Sequence, residues 1–404
     1  MKLRIGLVAA AGLITLLIVY LAETRNGYFD SKVYYGAIQY WFRGDGGMVY
    51  DWLRPGTPYG FTYPPFAGLV MLPMAFLPFG AVVVLAVVGT VLTTALLTWW
   101  FVAPLIRRKG WTVWFAYALA VCLAIAFEPV RETITFGQVN TLLLTLVAGD
   151  LLLGLSRGRK WAGVGIGLAT AIKLTPGIFI VYLLVTRRWR AAATASGTAA
   201  AATLVGAAIF PDESREFWTS ALWDTNRVGV LSFLSNQSER GFLARLPIPQ
   251  VEAKVWLVCV LVTLAFWAWR VAKARDDIMG GLALTGVVGC LISPVTWIHH
   301  CVWLLPAIVV CVSSVQKGPR YLGIAAYLVM TSRLTWLWEK RPRPPLELIG
   351  GNLYVWFSLA LLIWTPVLMA SPRSAGAVSF EVNELSPVFR RRTPRDMGKP
   401  GSTH

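Results

Sequence analysis

Charge is the scarcest property of this sequence: Asp, Glu, Lys and Arg make up only 14% of its 404 residues, against about 25% in a soluble domain. With 56% hydrophobic residues beside so little charge, the chain is neither a soluble globular domain nor a disordered segment. Histidine numbers three, and one of these is the C-terminal His404. The five cysteines, Cys122, Cys259, Cys290, Cys301 and Cys311, are odd in number and lie in or beside apolar runs, with no CxxC or CxxH spacing. They read as small core residues, and neither a metal site nor a disulfide framework is expected. Acidic residues are fewer than basic ones, 20 against 37. The basic excess sits in short breaks between apolar runs and no recognition module is visible, so nucleic acid is not an expected partner. No inverted repeat of the transporter kind is visible either.

What is present is a succession of about twelve apolar segments. They lie at roughly 5–22, 81–105, 111–127, 138–156, 161–173, 175–186, 191–210, 253–272, 278–294, 301–315, 320–338 and 353–370. A bilayer crossing needs roughly 20 apolar residues, so the expected class is an all-α polytopic membrane protein. The first run, Ile5 to Leu21, follows Lys2 and Arg4 and reads as an uncleaved helix rather than a signal peptide. The two segments split by Lys173-Leu-Thr-Pro176 read as broken or tilted helices. The stretch 66–79, with Pro73 and Pro78, reads as a re-entrant or interfacial piece.

Sides follow from the basic breaks. Arg107-Arg108-Lys109, Arg157/Arg159/Lys160, Arg187-Arg188/Arg190, Lys273/Arg275 and Lys317/Arg320 are short and basic, which places them in the cytoplasm. The tail from Ser371, with Arg390-Arg391-Arg392, is expected on the same side and without fixed structure. The opposite, outer side then holds the loops 23–65, 128–137, 211–252, 295–300 and 339–352, and nearly all polar, non-basic chemistry lies there. One transmembrane catalytic unit over 1–370 and a basic tail over 371–404 are expected.

Asp30 follows the first segment, and the stretch to Phe42 suits an amphipathic helix on the membrane surface. Its carboxylate suits either a general base or a helix N-cap. Asp45 and Asp51 suit turn roles beside Gly44, Gly46 and Gly47. Tyr63-Pro64-Pro65 fixes the re-entry of the chain, and Tyr59 and Tyr63 are placed to stack on a sugar. Gly137-Gln138-Val139-Asn140 sets two amides after Glu128 and Arg131, a pattern suited to hydroxyl or phosphate binding, and a helix N-terminus there favours an anion. Lys173 is costly beside a membrane segment unless paired, and its place at a break suits an anion. Asn236-Gln237-Ser238 reads as a glycosylation sequon or as a second amide pair. In Ser293-Pro-Val-Thr-Trp-Ile-His299-His300 the adjacent imidazoles diverge on a helix, which disfavours joint metal binding. One of them suits a phosphate or Asp30 and the other a packing role.

In order along the chain, Asp30-x-x-Val-Tyr-Tyr, Tyr63-Pro-Pro, Gly137-Gln-x-Asn, Lys173-x-Thr-Pro, Asn236-Gln-Ser and Ser293-Pro-x-x-Trp-x-His-His make a set that resembles glycosyltransferase family 87, the GT-C-fold mannosyltransferases of actinobacteria. The resemblance runs from residue 30 to 300. It implies a GT-C fold in the plasma membrane that takes mannose from a polyprenyl-phosphate-mannose donor on the periplasmic side. It implies a lipid-linked mannoside acceptor, here a phosphatidylinositol tetramannoside receiving an α-1,2-linked fifth mannose. It carries the base role onto Asp30, and a catalytic or phosphate-contacting role onto His299 or His300. Gln138, Asn140, Lys173, Asn236 and Gln237 lie in matching motifs and, with Tyr63 and Arg131, are expected to contact substrate. A β-linked donor and an α-linked product require inversion, hence one displacement with one base. A monophosphate carries less charge than a nucleotide diphosphate, so neither metal nor cofactor is expected to be needed. A sibling activity that adds α-1,2-mannose branches to lipomannan fits the same motifs. A polyprenyl-lipid transporter would need polar residues along a path through the bilayer, and here they gather at one face.

Overall fold

The computed structural model describes residues 1–44, 47–224, 227–248, 250–339 and 346–368. Asp45 and the basic tail 371–404 lie outside the described residues. Among the described residues the chain is helical, with no strand beyond an isolated antiparallel bridge between Leu53 and Gly60.

The first helix, α1 (Lys2–Asn26), exposes Leu13, Ile14, Leu16 and Leu17 along its length. It ends at two successive left-handed residues, Gly27 (φ 52°) and Tyr28 (φ 54°), which fold the chain sharply into α2 (Phe29–Arg43). Only glycine takes this conformation without steric cost. Tyr28 is held there by its N–H, which donates to Thr135 O at 2.8 Å, while Asn26 Nδ2 donates to Thr135 Oγ1 at 2.8 Å. The α2 helix is amphipathic, as expected, and Gln39 Nε2 ties it to Met74 O at 2.9 Å. The stretch expected to be re-entrant or interfacial is α3 (Pro65–Met71), begun by its proline, followed by a single 3₁₀ stretch to Ala75.

The long α4 (Phe79–Arg108) is followed by α5 (Val113–Ala126) and α6 (Glu128–Phe136), which meet at a bend of 67°. Pro129 removes a backbone donor at that bend, and Arg131 Nη1 takes up the Ala126 carbonyl at 2.7 Å. Next come α7 (Asn140–Gly149), which winds into a π turn at Asp150–Leu155, then α8 (Val164–Ile172) and α9 (Ile178–Val185). The Asp150 carboxylate accepts from the N–H groups of Gly163 (2.7 Å) and Ile166 (2.9 Å), which fixes the start of α8. The rest is α10 (Trp189–Ile209), α11 (Pro211–Glu216), α12 (Glu239–Ala244), α13 (Glu252–Lys273), α14 (Ile278–Ile292), α15 (Leu305–Ser313), α16 (Lys317–Thr331), α17 (Leu346–Gly350) and α18 (Leu353–Trp364). A 3₁₀ stretch, Ile298–Leu304, leads into α15.

The expected dozen crossings are not matched by a dozen long helices. Among the described residues, α1, α4, α10 and α13 are each long and apolar enough to cross a membrane, and the bent α5–α6 pair would make a fifth. The other apolar segments are shorter, α8 with 9 residues and the rest with 10–17 even when their π and 3₁₀ turns are counted in. The expected outer loop 128–137 is itself the helix α6.

The basic turns meet at one end of the bundle. Arg4 Nη1 donates to Thr112 Oγ1 at 2.7 Å, Arg108 Nη2 to Ser313 O at 2.7 Å, Arg190 Nη2 to Arg159 O at 3.0 Å, and Arg188 pairs with Asp276 at 3.0 Å. Near the other end, α6 is clamped by a buried ion network. Arg333 Nη1 lies 2.9 Å from both Glu128 Oε1 and Glu132 Oε1; Trp336 Nε1 and Tyr354 OH donate to Glu128 at 2.9 and 2.7 Å. Removing one member of such a network strands the others without partners, so this is a stiff support for whatever follows α6.

Candidate active site

The residue that follows α6 is Gly137, in the left-handed region at φ 72°. It is bound by Ser31 Oγ, which donates to its carbonyl at 3.1 Å. A β-carbon at Gly137 would run into that same Ser31 hydroxyl. Glycine is therefore required twice, for its φ and for its size. The contact sets Gln138 directly against the residue that precedes Ser31, which is Asp30.

Gln138 is the hub of the site. Its Nε2 donates to Asp30 Oδ2 at 2.7 Å and to Tyr34 OH at 2.7 Å, and its Oε1 accepts from Tyr63 OH at 3.0 Å. Since the Tyr63 hydrogen is spent on Gln138, the 2.9 Å contact between the two phenols runs from Tyr34 to Tyr63. Lys173 then closes the circuit, with Nζ 3.4 Å from Tyr63 OH, 3.2 Å from Asn140 Oδ1 and 2.9 Å from His300 Nε2. The amine reaches this position because α8 stops at Ile172 and Lys173 turns extended before the short Thr175–Gly177 turn. The break expected at Lys173–Pro176 is thus where it was placed.

Asp30 sits in the first turn of α2 and caps nothing; the N-cap is Tyr28. Its side chain is 19% exposed. Burial raises its carboxyl from the usual carboxylate range to about 6, against the opposing pull of the Gln138 hydrogen bond and of the Lys173 and Arg54 charges. His299 Nε2 stands 4.0 Å from Asp30 Oδ2 and has no hydrogen-bond partner among the described residues. The two imidazoles do diverge, with ring planes at 89°: His299 faces Asp30 and His300 faces Lys173. The His299 carbonyl is anchored by Asn140 Nδ2 at 3.1 Å and Thr133 Oγ1 at 3.2 Å.

Below Lys173 and His300 lies a small cleft of about 20 Å³, lined by Asn140, Lys173 and His300 and by Ile178, Phe179 and Trp303.

The structure brings together Asp30, Tyr63, Gln138, Asn140, Lys173, His299 and His300. It does not give Arg131, Asn236 and Gln237 the substrate contacts expected of them, because their polar groups are spent on the protein. Arg131 donates to Ala126 O and, at 3.0 Å, to Thr331 O. Asn236 donates to Leu231 O and Pro294 O and accepts from Thr296 N–H. Gln237 donates to Leu234 O and Gly351 O and accepts from Tyr354 N–H. All three are almost fully buried; they lock the loops that carry the site, and a buried Asn236 is no glycan acceptor. Asp51 accepts from Met48 N–H at 2.8 Å in a local turn, as expected. Sequence reasoning overlooked Tyr34 and Arg54. Tyr34 lies one helical turn after Asp30 on the same face, a spacing that signals the pairing, whereas nothing in the sequence around Arg54 signals its approach. Among the described residues no group of three or more His, Cys, Asp or Glu side chains gathers in metal-binding geometry.

Gly137→Ala is expected to cut turnover by about 10²-fold, the scale of an ångström-sized misplacement of a catalytic group, with membrane insertion preserved. Wild-type turnover in that variant would show that the Ser31–Gly137 contact does not position Asp30.

Comparison with known proteins gives the chemistry a family. The profile of glycosyltransferase family 87 matches residues 61–294. A Mycolicibacterium smegmatis polyprenol-phosphate-mannose-dependent alpha-(1-2)-phosphatidylinositol mannoside mannosyltransferase is 30% identical over 364 residues, covering 83% of this chain and 82% of that protein. A polyprenol-phosphate-mannose-dependent alpha-(1-2)-phosphatidylinositol pentamannoside mannosyltransferase of Mycobacterium tuberculosis is 34% identical over 368 residues, covering 85% and 82%. No solved structure matches the chain. With its apolar helices and a family profile that takes in more than half of its length, the chain belongs to glycosyltransferase family 87 and is a membrane glycosyltransferase.

Proposed function

We propose that the chain is an inverting α-1,2-mannosyltransferase. It moves mannose from polyprenyl-phosphate-mannose to a phosphatidylinositol mannoside, making the fifth mannosyl linkage, at the periplasmic face of the plasma membrane. The observation that carries this reading is the Gln138 hub, which holds the Asp30 carboxylate at one edge and, through Tyr63, a buried amine at the other. The names of the relatives support the donor and the acceptor class. The outer placement rests on the basic turns gathered at one end of the bundle. The expected GT-C fold of about twelve crossings is read here with its short helices joined end to end.

In the reaction the acceptor hydroxyl sits over the 4.0 Å gap between Asp30 Oδ2 and His299 Nε2. A hydroxyl about 2.8 Å from each fits there, donating to the carboxylate and accepting from the imidazole. As its oxygen bonds to the anomeric carbon, its proton passes to Asp30 and the anomeric C–O bond to phosphate breaks. The electron pair leaves with the polyprenyl phosphate. Lys173 Nζ donates to His300 Nε2 at 2.9 Å, so His300 positions the ammonium and Lys173 offers its charge to the departing anion.

The test is the purified protein in lipid nanodiscs with polyprenyl-phosphate-mannose and either the tetramannoside or the pentamannoside acceptor. One hexose is expected to be added to the tetramannoside. No new glycosidic bond with either acceptor would overturn the reading, and preference for the pentamannoside would move the step. Lys173 supplies the charge that a metal would otherwise bring to a monophosphate, so turnover is expected to persist in EDTA. Loss in EDTA restored by Mg²⁺ or Mn²⁺ would contradict that.

A further inference from the structure

We propose that Arg54 and a row of half-exposed aromatic rings form the acceptor's sugar subsite, seating a mannoside several residues long that runs away from Asp30. The proposal rests on the transfer reading above and deepens it. Arg54 enters on the hairpin closed by the Leu53–Gly60 bridge, its N–H donating to Tyr59 O at 2.8 Å. Its guanidinium lies 4.0 Å over the ring of Phe29, the residue before Asp30, and its charge acts on the Asp30 carboxyl. Its Nη1 is buried yet has no hydrogen-bond partner among the described residues. A buried donor without a partner is costly, and an oxygen of a bound ligand would satisfy it.

The rings continue from there. Phe29 meets Tyr59 edge-on at 5.4 Å. Gly229, at φ 119°, lies between Tyr59 and Trp297; a β-carbon there would stand 3.0 Å from the first ring and 3.2 Å from the second. Trp297 meets Phe233 at 6.0 Å, and Phe233 meets Trp336 at 6.3 Å. Phe233 is 43% exposed, although its partners are aromatic. Segments 29–30, 53–60 and 229–233 and the rings of Trp297 and Trp336 are thus connected in one row that starts beside Asp30. Hexose rings present flat C–H faces that pack on aromatic rings, and hydroxyl pairs that a planar guanidinium fork can bridge. Lys173 and His300 come from other elements and face the cleft, so Arg54 is assigned to the acceptor and not to the leaving phosphate.

The test uses full-length Arg54→Ala, Arg54→Lys and Phe233→Ala, with KM measured separately for donor and acceptor. Acceptors are the tetramannoside lipid and a single-mannose lipid. Arg54→Ala is expected to raise the acceptor KM about tenfold or more with the donor KM within about twofold, and Arg54→Lys to recover part of the loss. Phe233→Ala, further from Asp30, is expected to raise KM for the tetramannoside several-fold and to leave the single-mannose lipid unchanged. A rise in donor KM in place of acceptor KM would overturn the assignment, as would unchanged acceptor KM in both Arg54→Lys and Phe233→Ala. A wild-type protein that transfers nothing from polyprenyl-phosphate-mannose would remove the transfer reading itself; active wild type with unaffected variants removes only the subsite.

Discussion

Asp30→Asn should lower kcat by about 10³-fold, within the range a positioned general base supplies, and leave the protein folded and inserted. The amide has the shape of the carboxylate, and its oxygen can still accept from Gln138 Nε2, which now lies 2.7 Å from Oδ2. What it cannot do is take the acceptor's proton. No second carboxylate stands in the circuit of Gln138, Tyr34, Tyr63, Asn140, Lys173 and His300 to replace it. Substrate affinity should change little, since the loss is confined to the transition state. An Asp30→Asn enzyme with near wild-type kcat, measured by hexose transfer to the lipid acceptor, would refute the base assignment.

Lys173→Gln should lower kcat by about 10²-fold, comparable with the loss of one donor at a developing anion, and should also raise the donor KM. Glutamine retains an N–H for Tyr63 OH and Asn140 Oδ1, so the circuit can remain closed while the charge is gone. The variant should be no less heat-stable than wild type, because a buried ammonium held only by neutral groups is itself costly. A structural lysine would give the opposite pattern, with a lowered melting temperature and unchanged kcat. Thermal melts beside donor-dependent kinetics separate the two.

Much of the site was legible because its parts are marked by local rules. Pro176 three residues after Lys173 announces a break; Asp30 heads an amphipathic stretch; adjacent His299 and His300 must diverge. Which amide meets which partner was not legible. Gln138 and Gln237 look alike in sequence, and only long-range packing sends the first to Asp30 and the second to the carbonyls of Leu234 and Gly351. Arg131 lies seven residues before Gln138, yet the bend at Pro129 turns it toward the free carbonyl at Ala126. Helix lengths were not legible for a related reason. Hydropathy counts apolar residues and ignores where an α-helix stops, and here π and 3₁₀ turns at Asp150–Leu155, Thr175–Gly177 and Ile298–Leu304 interrupt the expected segments.

The pH profile of kcat/KM tests the role of Asp30 most directly, because it reports the ionisation of the free enzyme's base. A base raised to about 6 is active above that value and protonated below it. Wild-type kcat/KM should therefore fall tenfold per unit on the acid side of a limb near pH 6, and the small residual rate of Asp30→Asn should show no such acid limb. A limb that persists unchanged in Asp30→Asn would assign the proton transfer to another group and contradict the mechanism.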